Sequence, residues 1–139
     1  CIPFNMMGLK TKADYLVTGQ WGEKAWKEAN KYGTGQDACN TKATKFTVIP
    51  KKDDWKLDPE AAFVHYCANE TVNGVEFSYT PDVGAVPLVA DMSSNFMSKP
   101  IEVGKHACIY AGIQKNLGAA GIAVGIVHPE FAGGKHEMK

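Results

Sequence analysis

Six short stretches of this chain are dense in apolar residues: DYLVTG (14–19), KFTVIP (45–50), AFVHYCA (62–68), PLVADMS (87–93), ACIYAGI (107–113) and GIAVGIV (121–127). Each is about the length of a β-strand. Several are almost continuously apolar, where a half-exposed strand would alternate apolar with polar side chains. Such strands are covered on both faces, as in a parallel sheet flanked by helices. The expected fold is therefore α/β with a mostly parallel sheet.

One helix is expected directly after the first strand, in WGEKAWKEANKYG (21–33). Ala25, Ala29 and Tyr32 fall at helical spacing and predict a buried stripe, with Lys24, Lys27 and Lys31 on the wet side. Gly33 is expected to stop it. The segment GTGQDA (33–38) fits the loose form of a dinucleotide fingerprint, but it follows a helix. A true fingerprint follows a strand and opens a helix, so this segment reads as a simple turn. The polar stretch KKDDWKLDPEAA (51–62) reads as a connection, with a turn at Asp58-Pro59.

Composition narrows the function classes. A chain of 139 residues is about one domain. Its formal net charge is zero, which argues against nucleic acid or an anionic membrane surface as the main partner. The longest apolar runs are far too short to span a bilayer. No signal peptide is evident at the opening CIPFNMMGLK, which lacks an initiator methionine; the expectation is an internal piece of a longer protein. The cysteines (Cys1, Cys39, Cys67, Cys108) and histidines (His65, His106, His128, His136) show no metal-ligand spacing. Cys67 and Cys108 read as buried thiols in a reducing compartment. Asn69-Glu70-Thr71 is read as a chance sequon. The chain has no arginine, the usual clamp for carboxylates and phosphates.

In open α/β sheets ligands bind beyond the carboxyl ends of the strands. The residues just past those ends are Gln20-Trp21, Asn69-Glu70-Thr71, Asp91 with Ser93 and Ser94, and Gln114-Lys115. Singly, Trp21 suits a helix-entry packing residue and Thr71 a turn cap. Asp91 is harder to reduce to structure, because a carboxylate within LVADM needs a partner. An amine, a carboxylate, a hydroxyl and an aromatic ring on one rim suit pyridoxal phosphate. That cofactor forms a Schiff base with lysine and needs a carboxylate at its pyridine nitrogen.

The motifs DYLVTGQWGEKAWKEA, YCANETVNGVEF, ADMSSNFMSKPIEV and YAGIQKNLGAAGIAVGIV resemble, in order and spacing, the phosphoserine aminotransferase family. These are fold-type I, class V pyridoxal-phosphate enzymes. The resemblance covers nearly the whole chain and is weakest over 33–60 and the last dozen residues. It implies a three-layer α/β/α large domain, incomplete here, with an N-terminal segment and a small C-terminal domain outside residues 1–139. It implies that Lys115 carries the cofactor and that Gln114 contacts its phosphate. Asp91 pairs with the pyridine nitrogen, Thr71 binds the phenolic oxygen, Trp21 stacks on the ring, and Ser93 supports the site. Segment 121–127 is implied to run antiparallel. Ile113 and His128 depart from the alanine and arginine common in the family, and the tail GGKHEMK has no counterpart in it.

The implied reaction moves an amino group from glutamate to 3-phosphohydroxypyruvate, giving phosphoserine for serine biosynthesis. The implied protein is a homodimer of the cytoplasm, or of a plastid if a transit peptide precedes it. The 139-residue chain alone is expected to be inactive. Two other readings stand: another class V enzyme, of the alanine–glyoxylate aminotransferase or cysteine desulfurase type, and a non-enzymatic α/β binding fragment.

Overall fold

The computed structural model of the chain describes residues 2–132. Cys1, His136 and the tail 133–139 lie outside the described residues. A short helix, α1 (Ile2–Met6), leads into β1 (Lys12–Val17), and α2 (Gln20–Ala29) returns the chain to β2 (Thr34–Asn40). Then come β3 (Val64–Cys67), a small antiparallel pair β4 (Asn69–Glu70) and β5 (Val75–Glu76), and β6 (Leu88–Asp91), β7 (Cys108–Gly112) and β8 (Ala123–Val127). The main sheet has the order β2-β1-β3-β6-β7-β8. All its neighbours are parallel except β7 and β8, which run antiparallel as expected.

The apolar runs behave as parallel-sheet strands should. Alternate residues supply two separate cores. Leu16, Val64, Tyr66, Leu88, Ala90 and Ile109 form one. Tyr15, Val17, Phe63, Val89 and Cys108 form the other, against Ala25, Trp26 and Ala29 of α2. Among the described residues one face is covered by helix and the other by loop side chains such as Ile49, Trp55 and Ile101.

Five expectations are corrected. KFTVIP is not a strand: Lys45 and Phe46 both adopt left-handed backbone, with φ of 56° and 57°, which no extended run tolerates. The extended segment is instead β2, which takes in all of GTGQDA but its first glycine, so that stretch is strand and not a simple turn. Its pairing with β1 is non-local, and its exposed edge position lets a sequence poor in β-formers serve as strand. Helix α2 ends at Ala29, so Tyr32 falls outside it and is 45% exposed instead of buried. Gly33 does not cap the helix; a side chain there would collide with the Thr11 carbonyl. Finally, β8 is apolar yet half open to solvent, with Ala123, Gly125 and Val127 exposed.

The strand order places a switch point between β1 and β3. The chain leaves β1 toward β2 on one side and leaves β3 toward β6 on the other. A crevice at the carboxyl ends of two such strands is where α/β folds bind ligands.

Candidate active site

Helix α2 opens at this crevice without a side-chain cap of its own, because its N-cap residue is Gly19. The orphan amides of a helix start need acceptors. Glu70 supplies them from across the crevice. Its carboxylate accepts from Trp21 N at 2.9 Å and from Gly22 N at 2.7 Å. Asn73 Oδ1 accepts from Gln20 N at 2.9 Å. Glu70 is fully buried, and a Cβ on Gly19 would overlap its carboxyl group, so glycine there is a packing requirement. Burial raises the Glu70 pKa, the two amide bonds oppose that, and the charge of Asp91 raises it further. The start of α2 is thus already occupied by the protein's own carboxylate. It is not open to an anionic ligand.

That contact fixes the next residues in each direction. Trp21 is the second residue of the helix, 37% exposed at the rim. Thr71 follows Glu70 directly and is exposed. Lys115, in the turn after β7, reaches over to it: Lys115 Nζ donates to Thr71 Oγ1 at 2.7 Å. The same amine lies 5.0 Å from the centre of the Trp21 ring. Lys115 forms no ion pair with any described residue; its direct contacts are a hydroxyl and a ring, and its charge is felt by Glu70 and Cys67 nearby.

Asp91 ends β6 and is half-buried. Its Oδ1 accepts from the Ser93 amide at 2.9 Å and the Ser93 hydroxyl at 2.6 Å. Ser93 Oγ in turn accepts from Gly112 N at 3.0 Å, which ties the end of β7 to the carboxylate. Asn69 and Ser94 close the floor through a reciprocal pair of 2.9 and 2.8 Å bonds. Trp21, Cys67, Asn69, Asp91, Ser93, Ser94, Gln114 and Lys115 line one open cavity. The buried Cys67 thiol there is held well above its ordinary pKa, first by burial and then by the Asp91 and Glu70 charges. It is no candidate nucleophile.

The five residues expected at the site are therefore gathered. Trp21, Asp91, Gln114 and Lys115 line the cavity, and Thr71 touches Lys115. Gln114 is exposed and folds back toward Gly112. Ile113 packs on Gly118 within its own turn. His128 lies apart, capping the turn Pro129–Phe131. Another recess, between Tyr66, Phe77, Met92 and Ile101, contains a lysine too, but Lys99 is already paired with Glu76 at 2.8 Å. Sequence reading missed Glu70, Asn73 and the bond from Ser93 to Gly112. A signal for Glu70 existed: a helix opening on Gly-Gln-Trp-Gly must find its cap elsewhere.

A pocket with a free amine, a half-engaged carboxylate, a hydroxyl and an aromatic face has the donor set that pyridoxal phosphate requires. Among the described residues no cluster of His, Cys, Asp and Glu is arranged to hold a metal ion.

Residues 3–137 match the class-V aminotransferase family, and the chain belongs to it. Its relatives narrow the likeness further. It is 53% identical over 136 residues to a Drosophila melanogaster protein named phosphoserine aminotransferase, covering 97% of this chain and 37% of that one. The corresponding Janthinobacterium protein is 49% identical over 135 residues, covering 95% of this chain and again 37% of the relative. The chain thus spans about 37% of the length of these curated relatives. Among solved structures, phosphoserine aminotransferase from Bacillus circulans subsp. alkalophilus superposes with a TM-score of 0.89 at 39% identity, over 94% of this chain and 36% of that one. The enzyme from Trichomonas vaginalis, solved with PLP bound, gives 0.89 at 42% identity, over 99% of this chain and 39% of that one.

Proposed function

We propose that this chain is the core of the large domain of a phosphoserine aminotransferase, which exchanges an amino group between glutamate and 3-phosphohydroxypyruvate with pyridoxal phosphate. The observation that carries the reading is the Lys115 amine, 2.7 Å from Thr71 and above the Trp21 ring, in one cavity with Asp91. The names of relatives at 49 and 53% identity support the choice of substrate.

When bound, the cofactor supplies an aldehyde carbon that takes up amines and a ring that accepts electrons. Lys115 is the residue that would hold it, and its amine, once free of its proton, would serve as base for the substrate α-carbon. Asp91 would face the ring nitrogen, where a negative charge would favour a proton and so stabilise charge drawn from the α-carbon. Thr71 would bind the phenolic oxygen, Trp21 would cover the ring, and Gln114 would contact the phosphate. The groups that clamp the substrate's own carboxylate and phosphate lie outside this chain, which has no arginine. Residues 1–139 alone are therefore inactive.

The protein works as a homodimer; the exposed apolar side chains Leu117 and Ile122 beside the lysine turn support a second subunit there. It resides in a reducing compartment, the cytoplasm or a plastid. The buried free thiols of Cys67 and Cys108 support that placement. The test is made on the full-length protein. Phosphoserine should form from glutamate and 3-phosphohydroxypyruvate, with alanine plus glyoxylate much slower. The reverse preference would overturn the substrate assignment.

A further inference from the structure

Behind the Asp91 carboxylate the sheet holds a second layer of polar groups. Asp91 and Tyr110 are register partners on β6 and β7. Tyr15 and His65 are register partners on β1 and β3. Three rings lie side by side across this face. Tyr15 and His65 have centroids 5.1 Å apart and inclined by 33°, and His65 and Tyr110 are 5.9 Å apart at 31°. His65 Nε2 lies 2.9 Å from the Tyr110 hydroxyl. His65 is 2% exposed, and its Nδ1 has no hydrogen-bond partner.

Placing a histidine in the middle of an apolar sheet face costs free energy unless its polar atoms are used. Here one nitrogen is used and the other is not. The proton count explains which. A tyrosine hydroxyl has one proton to give, and an ionised carboxylate only accepts. Tyr110 is the register partner of Asp91, and its proton is held firmly by burial and by the nearby Asp91 charge. A Tyr110 hydroxyl turned to that carboxylate has no proton left for His65. The His65 ring is then the Nε2–H tautomer, donating to Tyr110 Oη, with a bare lone pair on Nδ1. Burial also lowers the His65 pKa to about 4, so the ring is neutral near pH 7.

We propose that Tyr110 and His65 are positioning residues for Asp91. They form a two-bond relay, His65 Nε2–H to Tyr110 O–H to the Asp91 carboxylate. With Ser93 on the other side, it aims the carboxylate at the rim and fixes its orientation. Successive bonds in one direction polarise one another, so the relay also sets how strongly Asp91 holds a proton on the atom it faces. This inference rests on the cofactor reading above.

The experiment uses the full-length protein and has two readouts. In the cofactor-free protein, nitrogen-15 spectra of labelled histidine should show His65 as the Nε2–H tautomer at pH 7; an Nδ1–H tautomer would overturn the relay. In the protein loaded with ring-nitrogen-labelled pyridoxal phosphate, Tyr110→Phe and His65→Leu should move the ring-nitrogen signal toward its unprotonated position. Both should lower kcat about tenfold with less than a threefold change in KM. His65→Gln restores an N–H donor and should keep the wild-type signal. An unmoved signal in Tyr110→Phe, or equal displacement in His65→Gln and His65→Leu, would refute the proposal. If Tyr110→Phe does not fold, the two His65 variants carry the same test. Failure of the wild-type protein to bind the cofactor at all would instead remove the cofactor reading.

Discussion

The two sides of the rim are built in opposite ways. On the β1–β3–β6 side every group is tied down. Glu70 is fully buried and holds two amides of α2, Asn73 holds a third, and Ser93 grips Asp91 with both its amide and its hydroxyl. On the β7–β8 side, residues 114–123 are exposed throughout. That turn is held by a few backbone bonds, among them Gly118 N to Ile113 O at 2.8 Å, and by Asn116 Nδ2 donating to Phe96 O at 2.7 Å. Few buried contacts and many exposed backbone bonds mark a segment that opens at low cost. The division suits the proposed chemistry. The carboxylate and ring platform must stay still, whereas the amine must leave its partner and come back.

The largest effects belong to the groups that face the cavity. In the full-length protein, Lys115→Ala should reduce phosphoserine formation by at least about 10³-fold, since both anchor and base are lost. Glutamate-dependent turnover measures it directly. Asp91→Asn should fold and bind cofactor but lose about 10²- to 10³-fold in kcat, the scale of removing one preorganised electrostatic partner. Near-wild-type turnover in that variant would erase the distinction between a platform and a bystander.

The next effects fall on stability. Glu70→Ala leaves two amides of α2 without their acceptor, at a cost of roughly 2–3 kcal/mol, readable by urea unfolding and by a shift in Trp21 fluorescence. Glu70→Gln can accept from only one of the two amides and sets its NH2 against the other, so it should cost about 1–2 kcal/mol. His65 gives a pH dependence. Its pKa is lowered in the fold to about 4. Between pH 6.5 and 4 the unfolded chain takes up a proton that the folded chain refuses. Stability from this group is therefore complete above pH 6.5 and falls as the pH drops toward 4. About 2 kcal/mol should go between pH 6.5 and 5, and His65→Gln should flatten that slope. Smallest of all, Leu117→Ala on the lysine side should change monomer stability by no more than about 0.5 kcal/mol. A loss as large as that of Glu70→Ala would show the two sides to be equally rigid.

Much of this was legible in the sequence because the signals are local. Continuous apolar runs announced β1, β3, β6 and β7, and the residues just beyond them were the ones the crevice collects. What escaped depends on distant partners. β2 is a strand because β1 pairs with it, and no β-branched run in GTGQDA says so. KFTVIP has the composition of a strand, but two left-handed residues break it at a turn. Glu70 looked like one member of a sequon. Its role appears only when the chain brings it 48 residues back to Gly22. The relay of His65, Tyr110 and Asp91 spans three strands and has no spacing rule at all.

The central claim is that Lys115 is the residue that holds the cofactor. Full-length protein incubated with pyridoxal phosphate, reduced with borohydride and digested should carry the reduced cofactor mass on the peptide containing Lys115. That peptide should be unlabelled when Lys115 is replaced by alanine. A label on any other lysine, or none in wild-type protein, would contradict the account.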